Sequence, residues 1–377
     1  MDIPILRLEY SEEEINFIKE GIEAVLKSGY LTMGEKVAQF EKMFADFTGA
    51  RYAIATNSGT SSLEVILRAI GIKGNTVVVP SNTFLASAVS VIHAGGRVIF
   101  ADCQRENLQL DPQDLKRKIR ADTKAVMLVH IGGIISPAFD EIKSICRENG
   151  LFLMEDAAHA HGATIDGRNA GTLGIAGSFS FYPTKVIVTA EGGMITTDDD
   201  DIYRQAISLR DHGRADYDPT IHLEIGYNWR FSELHAVLGI QQMKKAKAIL
   251  AERRKLAHMY DQKLEGVKRI RRLEIPPNIG PSFYKYIVFL DDDVDRDKIK
   301  KKLKEKYHVS LTGEVYAHPC HSQPVFKKYP SVIANDPADT FPNTEYVAAR
   351  HVCLPLYTGL TKEEVDYVVA SLKKVLA

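Results

Sequence analysis

Between Tyr52 and Glu155 the chain alternates short apolar runs with helical segments, and this alternation restricts the possible folds more than any other feature. The runs are YAIAT (52–56), TVVVP (76–80), RVIFA (97–101), AVMLVHI (125–131) and LFLME (151–155), with helices expected near 60–70, 84–94, 112–119 and 137–148. Runs that are apolar throughout, not at alternate positions, mark strands buried on both faces, and strands separated by helices return parallel to one another. The expected fold class is α/β, with a mixed, mostly parallel central sheet flanked by helices. Ligands of such sheets sit beyond the carboxyl ends of the strands. The residues just after each run are therefore the ones that bear on function.

The flanking regions read differently. Ser11 and Glu14 have capping-box spacing ahead of apolar positions at helical intervals, predicting a helix over 11–28, and a second helix over 35–48 ends at Gly49. Beyond Gly193 come a helix near 199–210, a long helical segment over about 231–264, a strand at 283–290, a helix at 296–306, and a last helix capped by Thr361 with Glu364. A chain of 377 residues with 45% hydrophobic content is long enough for two units. These are expected at 1–245, a large ligand-binding domain with the N-terminal helices, and 246–377, a smaller C-terminal α+β domain. Lys plus Arg (48) balances Asp plus Glu (49), so the net charge of −1 offers no general attraction to nucleic acid or to an anionic membrane. No apolar window reaches the roughly 18 residues a membrane span needs, and the expectation is a soluble cytoplasmic protein. The four cysteines lack CxxC spacing, which points to packing residues, not a zinc site or disulfide framework.

Four constellations carry chemistry. NSGTSS (57–62) lies between a strand and a helix, where Thr60, Ser61 and the first backbone N–H groups can cradle a phosphate; plain helix capping is the competing reading. Phe84, after TVVVP, can stack on a planar ligand, although such a residue is more commonly core. Asp156, after LFLME, either caps the following turn or meets a bound cation, because no Lys or Arg occurs from 150 to 162. Lastly, SFSFYPTKVIVTAEGG (178–193) places Lys185 on a loop after Pro183 and ahead of the strand MITT, while Gly192-Gly193 lets the backbone turn. Taken alone, Lys185 reads as a surface charge. Taken together, a phosphate cradle, an aromatic plate, a carboxylate and a lysine are the parts that hold pyridoxal phosphate. In that arrangement Lys185 forms the Schiff base, Thr60, Ser61 and Ser180 hold the phosphate, Phe84 covers the ring, and Asp156 keeps the pyridine nitrogen protonated.

With those residues in view, the sequence resembles the DegT-type sugar aminotransferases, fold-type I enzymes of the aspartate aminotransferase superfamily. The resemblance is nearly full-length, from GYLTMGEKVAQFEKMFADFTG through NSGTSSLEVILRAIGI, EDAAHAHGA, SFSFYPTKVIVTAEGGMITTDD and GYNWRFSELHAVLGIQQM to HVCLPLYTGLTKEEVDYVV. It implies that Lys185 and Asp156 are the catalytic pair, and that Asn228 reaches the cofactor phosphate of a neighbouring subunit in a homodimer with shared active sites. It also implies that His321 lies on the substrate side and that Tyr30 to Thr32 lie near the sugar. Two positions depart from the family pattern: His159 stands where glutamine is common, either residue being able to bond the pyridoxal hydroxyl, and HIGGIISP (130–137) replaces HLYGQP. Retention of the lysine argues against the family's dehydrase branch, in which histidine replaces it. The activity implied is transfer of the amino group of L-glutamate to a keto group of a nucleotide-linked, 4-keto-6-deoxy type sugar. Two alternatives are a glutamine- or glutamate-dependent enzyme acting on a keto-cyclitol and a non-catalytic cofactor-binding regulator.

Overall fold

A computed structural model describes residues 1–311 and 313–377 of the chain. Its centre is a seven-stranded sheet in the order Tyr52–Thr56, Gly193–Thr197, Gly177–Ser180, Phe152–Asp156, Thr123–Val129, Thr76–Pro80, Arg97–Ala101. Gly193–Thr197 runs antiparallel to both its neighbours, and the remaining pairings are parallel. Helices cover both faces, which is why the strands read as continuous Val/Ile/Leu runs. The first three predicted strands match residue for residue.

Two boundaries move, and both movements shape the site. The run expected at 125–131 is Thr123–Val129, because His130 turns out of the sheet into a 3-10 turn, Ile131–Gly133, that needs positive φ at Gly132 and Gly133. The run expected at 151–155 is Phe152–Asp156, so Asp156 is the last strand residue, opposite Val129 and Ser178. The strand expected at 283–290 begins only at Tyr286. Phe283 has φ 50°, and the Arg253 guanidinium takes up the carbonyls of Phe283 and Tyr284 at 2.8–3.0 Å, leaving them no part in a ladder.

The N-terminal helices are Glu12–Ser28, with the Ser11/Glu14 capping box formed, and Glu35–Thr48. The second begins on a borrowed cap: the buried Glu233 carboxylate accepts from the N–H groups of Gly34, Lys36 and Val37 at 2.8–2.9 Å. Glu233 itself opens the long helix Glu233–Leu264, capped by Ser232, which carries the chain from the main sheet to the C-terminal unit. There an antiparallel sheet of Ile270–Arg272, Tyr286–Leu290 and His351–Leu354 packs against Arg296–Tyr307 and Lys362–Leu376. Ile3 pairs with Val309 and belongs to this same core, so the start of the chain is stitched to its C-terminal part. All four cysteines are buried.

Candidate active site

Adjacent carboxylates on one strand point to opposite faces, and Glu155 and Asp156 divide structure from chemistry in this way. Glu155 is saturated: it accepts from the N–H groups of Gly171, Leu173 and Gly174 at 2.7–2.8 Å and meets His130 Nε2 at 2.8 Å. Asp156 faces a cavity. Its Oδ2 accepts from Ser87 Oγ at 2.7 Å and its Oδ1 from the Ala158 N–H at 3.2 Å, and among the described residues no cation pairs with it. Burial pushes its pKa above the usual carboxylate range, opposed first by the Ser87 bond. A buried carboxylate held in this way is a receptor for a proton-bearing nitrogen of a ligand.

Lys185 enters the cavity from the loop that follows Gly177–Ser180. The loop is pinned by Lys185 N–H to Tyr182 C=O, Thr189 N–H to Phe181 C=O and Phe181 N–H to Gly192 C=O, each at 2.9 Å. Its ammonium has no carboxylate partner among the described residues, and Nζ lies 4.8 Å from the Tyr284 ring centroid. Desolvation lowers the pKa to about 8, partly offset by Asp156 and reinforced by Lys285. Covalent attack on a carbonyl needs the neutral amine. Uptake of pyridoxal phosphate by cofactor-free protein, trapped by borohydride and counted by mass, is therefore expected to accelerate with pH up to about 8 and then level off; a rate still climbing above pH 10 would contradict a lowered pKa.

The third wall is the start of the helix Gly59–Ala69. Ser58 caps it by accepting from the Ser61 N–H, leaving the Gly59 and Thr60 N–H groups without acceptors among the described residues. Gly59 is required for the approach, because a Cβ there would stand 2.9 Å from the Ser180 Cβ. Thr60 and Ser180 line the cavity together. Ser61 turns away, donating to Asn57 Oδ1 at 2.5 Å and sharing a hydrogen bond with Ser58 Oγ at 2.8 Å. What this helix offers an anion is thus backbone N–H and Thr60, with Ser61 as internal bracing.

The cavity, about 560 Å³, is lined by these residues together with Phe84, His159, Tyr182, Glu191, Tyr284 and Tyr316. Phe84 is 60% exposed, its ring 6.2 Å from that of Tyr316. His159 stacks on Tyr284 at 4.0 Å and meets the Tyr316 hydroxyl through Nε2 at 3.2 Å, while its Nδ1 is buried without a partner. Burial, helped by Lys185 and Lys285, pushes the imidazole pKa well down, so the ring is neutral. Ser87, Tyr284, Tyr316 and Glu191 carry no local signal in the sequence and are brought here only by tertiary structure.

Besides Ser61, four predicted residues lie outside this lining. Tyr30 is 76% exposed, and Thr32 Oγ1 donates to the Phe231 carbonyl at 3.0 Å. Asn228 is exposed beside Asn57, its carbonyl accepting from Asn57 Nδ2 at 3.5 Å. His321 shares a hydrogen bond with Ser81 Oγ through Nδ1 at 2.6 Å, stacks on Phe341 at 4.3 Å and lines a separate cavity with Phe100 and Phe326.

Pyridoxal phosphate fits this set. The open helix N-terminus matches a phosphate, the buried carboxylate lacking a cation matches a protonated ring nitrogen, the orphan His159 Nδ1 matches a ring substituent, and Lys185 matches the carbonyl.

Comparison with known proteins agrees. The family model described as "DegT/DnrJ/EryC1/StrS aminotransferase family" matches residues 12–373. GDP-perosamine synthase of Caulobacter vibrioides is 34% identical over 92% of this chain and 91% of its own length. Spore coat polysaccharide biosynthesis protein SpsC of Bacillus subtilis is 33% identical over 97% and 95%. The crystal structure of NtdA from Bacillus subtilis, with bound cofactor PMP, superposes with a TM-score of 0.90 at 27% identity, covering 100% of this chain and 85% of that one. The protein is an aminotransferase with pyridoxal phosphate as its cofactor, and the chain belongs to the DegT/DnrJ/EryC1/StrS aminotransferase family.

Proposed function

We propose that this aminotransferase moves the amino group of L-glutamate to a keto group of a nucleotide-linked, 4-keto-6-deoxy type sugar, working as a homodimer with shared sites. The observation that carries the reading is the convergence of Lys185, Asp156 and the open start of the Gly59 helix on one cavity. The sugar class is supported by relatives named for sugar chemistry, the GDP-perosamine synthases among them.

In this reading bound pyridoxal phosphate supplies the carbonyl that takes up the donor's amino group and the ring that accepts the electron pair left at the donor's Cα. Gly59 and Thr60 N–H groups and Ser180 hold the phosphate end, and Phe84 covers one ring face. Asp156 keeps a proton on the ring nitrogen. Lys185, its pKa lowered to about 8, would anchor the cofactor and, once free, would take the proton from the donor's Cα and supply it again in the acceptor half of the cycle. Holding Nζ beside the reacting carbon would contribute proximity on the order of 7 kcal/mol. The second copy is supported by Tyr217, Leu223 and Ile225, exposed apolar side chains just before Asn228, which a partner subunit would cover. The long helix Glu233–Leu264 would join the two units, 1–245 and 246–377.

The keto-cyclitol reading keeps its place because of His159, the departure from the family pattern, bound to Tyr316 in the cavity wall. The purified protein is expected to be yellow, to be bleached by L-glutamate with release of 2-oxoglutarate, and to recover its colour on addition of a 4-keto-6-deoxy sugar nucleotide. Recovery with a keto-inositol alone would transfer the assignment to the cyclitol. Colourless protein that takes up no pyridoxal phosphate would remove both.

A further inference from the structure

The departure HIGGIISP makes room for a strained segment that shapes the wall beside Lys185. At Gly133, where φ is 84°, an added Cβ would come within 2.7 Å of the His159 carbonyl and 2.9 Å of the Tyr284 nitrogen. Only glycine lets the segment 282–285 press this closely. Ser282 N–H then donates to the Gly133 carbonyl at 2.9 Å, and Ser282 Oγ to the His159 carbonyl at 2.7 Å. Phe283 sits at φ 50°, which costs a bulky residue free energy and persists only where the surroundings enforce it. Arg253 enforces it: the buried guanidinium donates to the carbonyls of Phe283, Tyr284 and Leu356 at 2.8–3.1 Å.

What this strain delivers is one aromatic ring. Tyr284 lines the cofactor cavity, His159 stacks on it at 4.0 Å, and its hydroxyl shares a hydrogen bond with Thr184 Oγ1 at 3.2 Å, next to the lysine in the chain. Lys185 Nζ lies 4.8 Å from the ring centroid. An ammonium at that distance is attracted by the negative face of an aromatic ring, the more so where water is excluded. Among the described residues the Lys185 ammonium has neither a hydrogen-bond acceptor nor an ion pair, so the ring supplies the attraction that a carboxylate would otherwise give. Lys285, whose Nζ is 5.1 Å from the same centroid, lines a separate cavity with Asp261 and Arg271.

The chemistry gives this arrangement a use. An amine that anchors a cofactor is free during part of each cycle, and a free ammonium paired with Asp156 would neutralise the carboxylate kept for the ring nitrogen. A π-face attracts the charge without a directional hydrogen bond and releases it readily. We propose that Tyr284 is a positioning residue whose ring holds the free Lys185 ammonium against the cavity wall. This rests on Lys185 being the cofactor's anchor.

The test reads the lysine itself in the full chain without cofactor. Lys185 is acetylated with acetic anhydride across a range of pH and counted by peptide mass, which gives the pH at which half of it is reactive. The ring favours the charged form, so losing the ring should move that midpoint down. Tyr284→Leu is expected to lower it by about one pH unit, a tenfold change in the protonation equilibrium, from about 8 in the wild type. Tyr284→Phe, which loses only the hydroxyl, should leave it in place. The other charged or titratable groups facing the lysine are the same in every variant: Asp156, His159, Tyr182, Glu191 and Tyr316 in the cavity, and Lys285 beside the ring. Behind the loop, a second cavity that reaches Lys185 likewise keeps Arg7, Glu9, Lys245, Glu252 and Arg253. With pyridoxamine phosphate bound, which leaves the amine free, the variants should fall in the same order. If the Leu variant does not fold, phenylalanine bearing one, two or three ring fluorines at position 284 keeps the shape and weakens the face stepwise, and the midpoint should fall in step. A midpoint unmoved in Tyr284→Leu or across the fluorinated series, or one shifted as far in Tyr284→Phe as in Tyr284→Leu, would overturn the proposal. Borohydride-fixed cofactor on another lysine of the wild type would remove the anchor assignment, while the acetylation midpoints would still decide whether the ring holds Lys185.

Discussion

Replacing Lys185 by alanine is expected to leave a folded protein that binds pyridoxal phosphate reversibly and turns over at least about 10⁴-fold more slowly, the upper range for a positioned proton-transfer group. Two effects would combine here: loss of the proposed covalent anchor, and loss of the only lysine in the cavity lining among the described residues. The fold should not suffer. The lysine makes no ion pair among the described residues, and its charged form is opposed by burial. Borohydride should fix no cofactor to the variant, and its melting temperature without cofactor should equal or exceed that of the wild type. Undiminished transamination would sink the assignment, as would borohydride-fixed cofactor on another lysine.

Asp156→Asn has the second largest expected effect, and it separates stability from function. Because burial raises the folded-state pKa of Asp156, ionising it costs stability at every pH above the ordinary carboxylate range, and an amide of the same shape removes that cost. Ser87 can rotate its hydroxyl to accept from the amide instead of donating. Without cofactor, then, the variant should melt no lower than the wild type at neutral pH. With cofactor it should lose on the order of 10²–10³ in kcat, comparable to removing an aligned electrostatic partner from a water-excluded site. The absorbance of the bound cofactor should also shift toward a deprotonated ring. A variant that loses melting temperature without cofactor but keeps its kcat would make Asp156 a structural cap.

Much of the main sheet was legible because its signals are local. Tyr52–Thr56, Thr76–Pro80 and Arg97–Ala101 are bounded by turns and buried on both faces, so hydrophobicity alone delimits them. The strand Gly177–Ser180 was not delimited: the apolar run at 179–182 continues past the ladder, because Phe181 bonds back to Gly192 as the loop closes. Two-residue pairings such as Thr164–Ile165 with Ile279–Gly280 carry no periodicity at all. Within the site, Asp156 was marked by being a carboxylate after a buried strand with no Lys or Arg nearby in sequence, whereas Lys185 read alone as a surface charge and stood out only in combination with Thr60, Phe84 and Asp156. Ser61 did not separate from Thr60, since only the turn of the helix decides which hydroxyl faces the cavity. Phe283 and Tyr284 were hidden inside what read as a strand, and Arg253, thirty and thirty-one positions earlier, takes up their carbonyls.

The lone antiparallel strand of the main sheet also sets an order of events during synthesis. Tyr52 finds its partner only at Thr197, and among the described strands Tyr52–Thr56 has no other neighbour. As the chain leaves the ribosome, this strand waits as an unpaired edge while the parallel strands behind it assemble. It is locked in only when Gly193–Thr197 arrives, after the lysine loop has already emerged. The helix Gly59–Ala69 that follows Thr56 and the loop bearing Lys185 are therefore brought together in one late closure, and a nascent chain stopped short of residue 197 should expose a sticky strand and bind no cofactor.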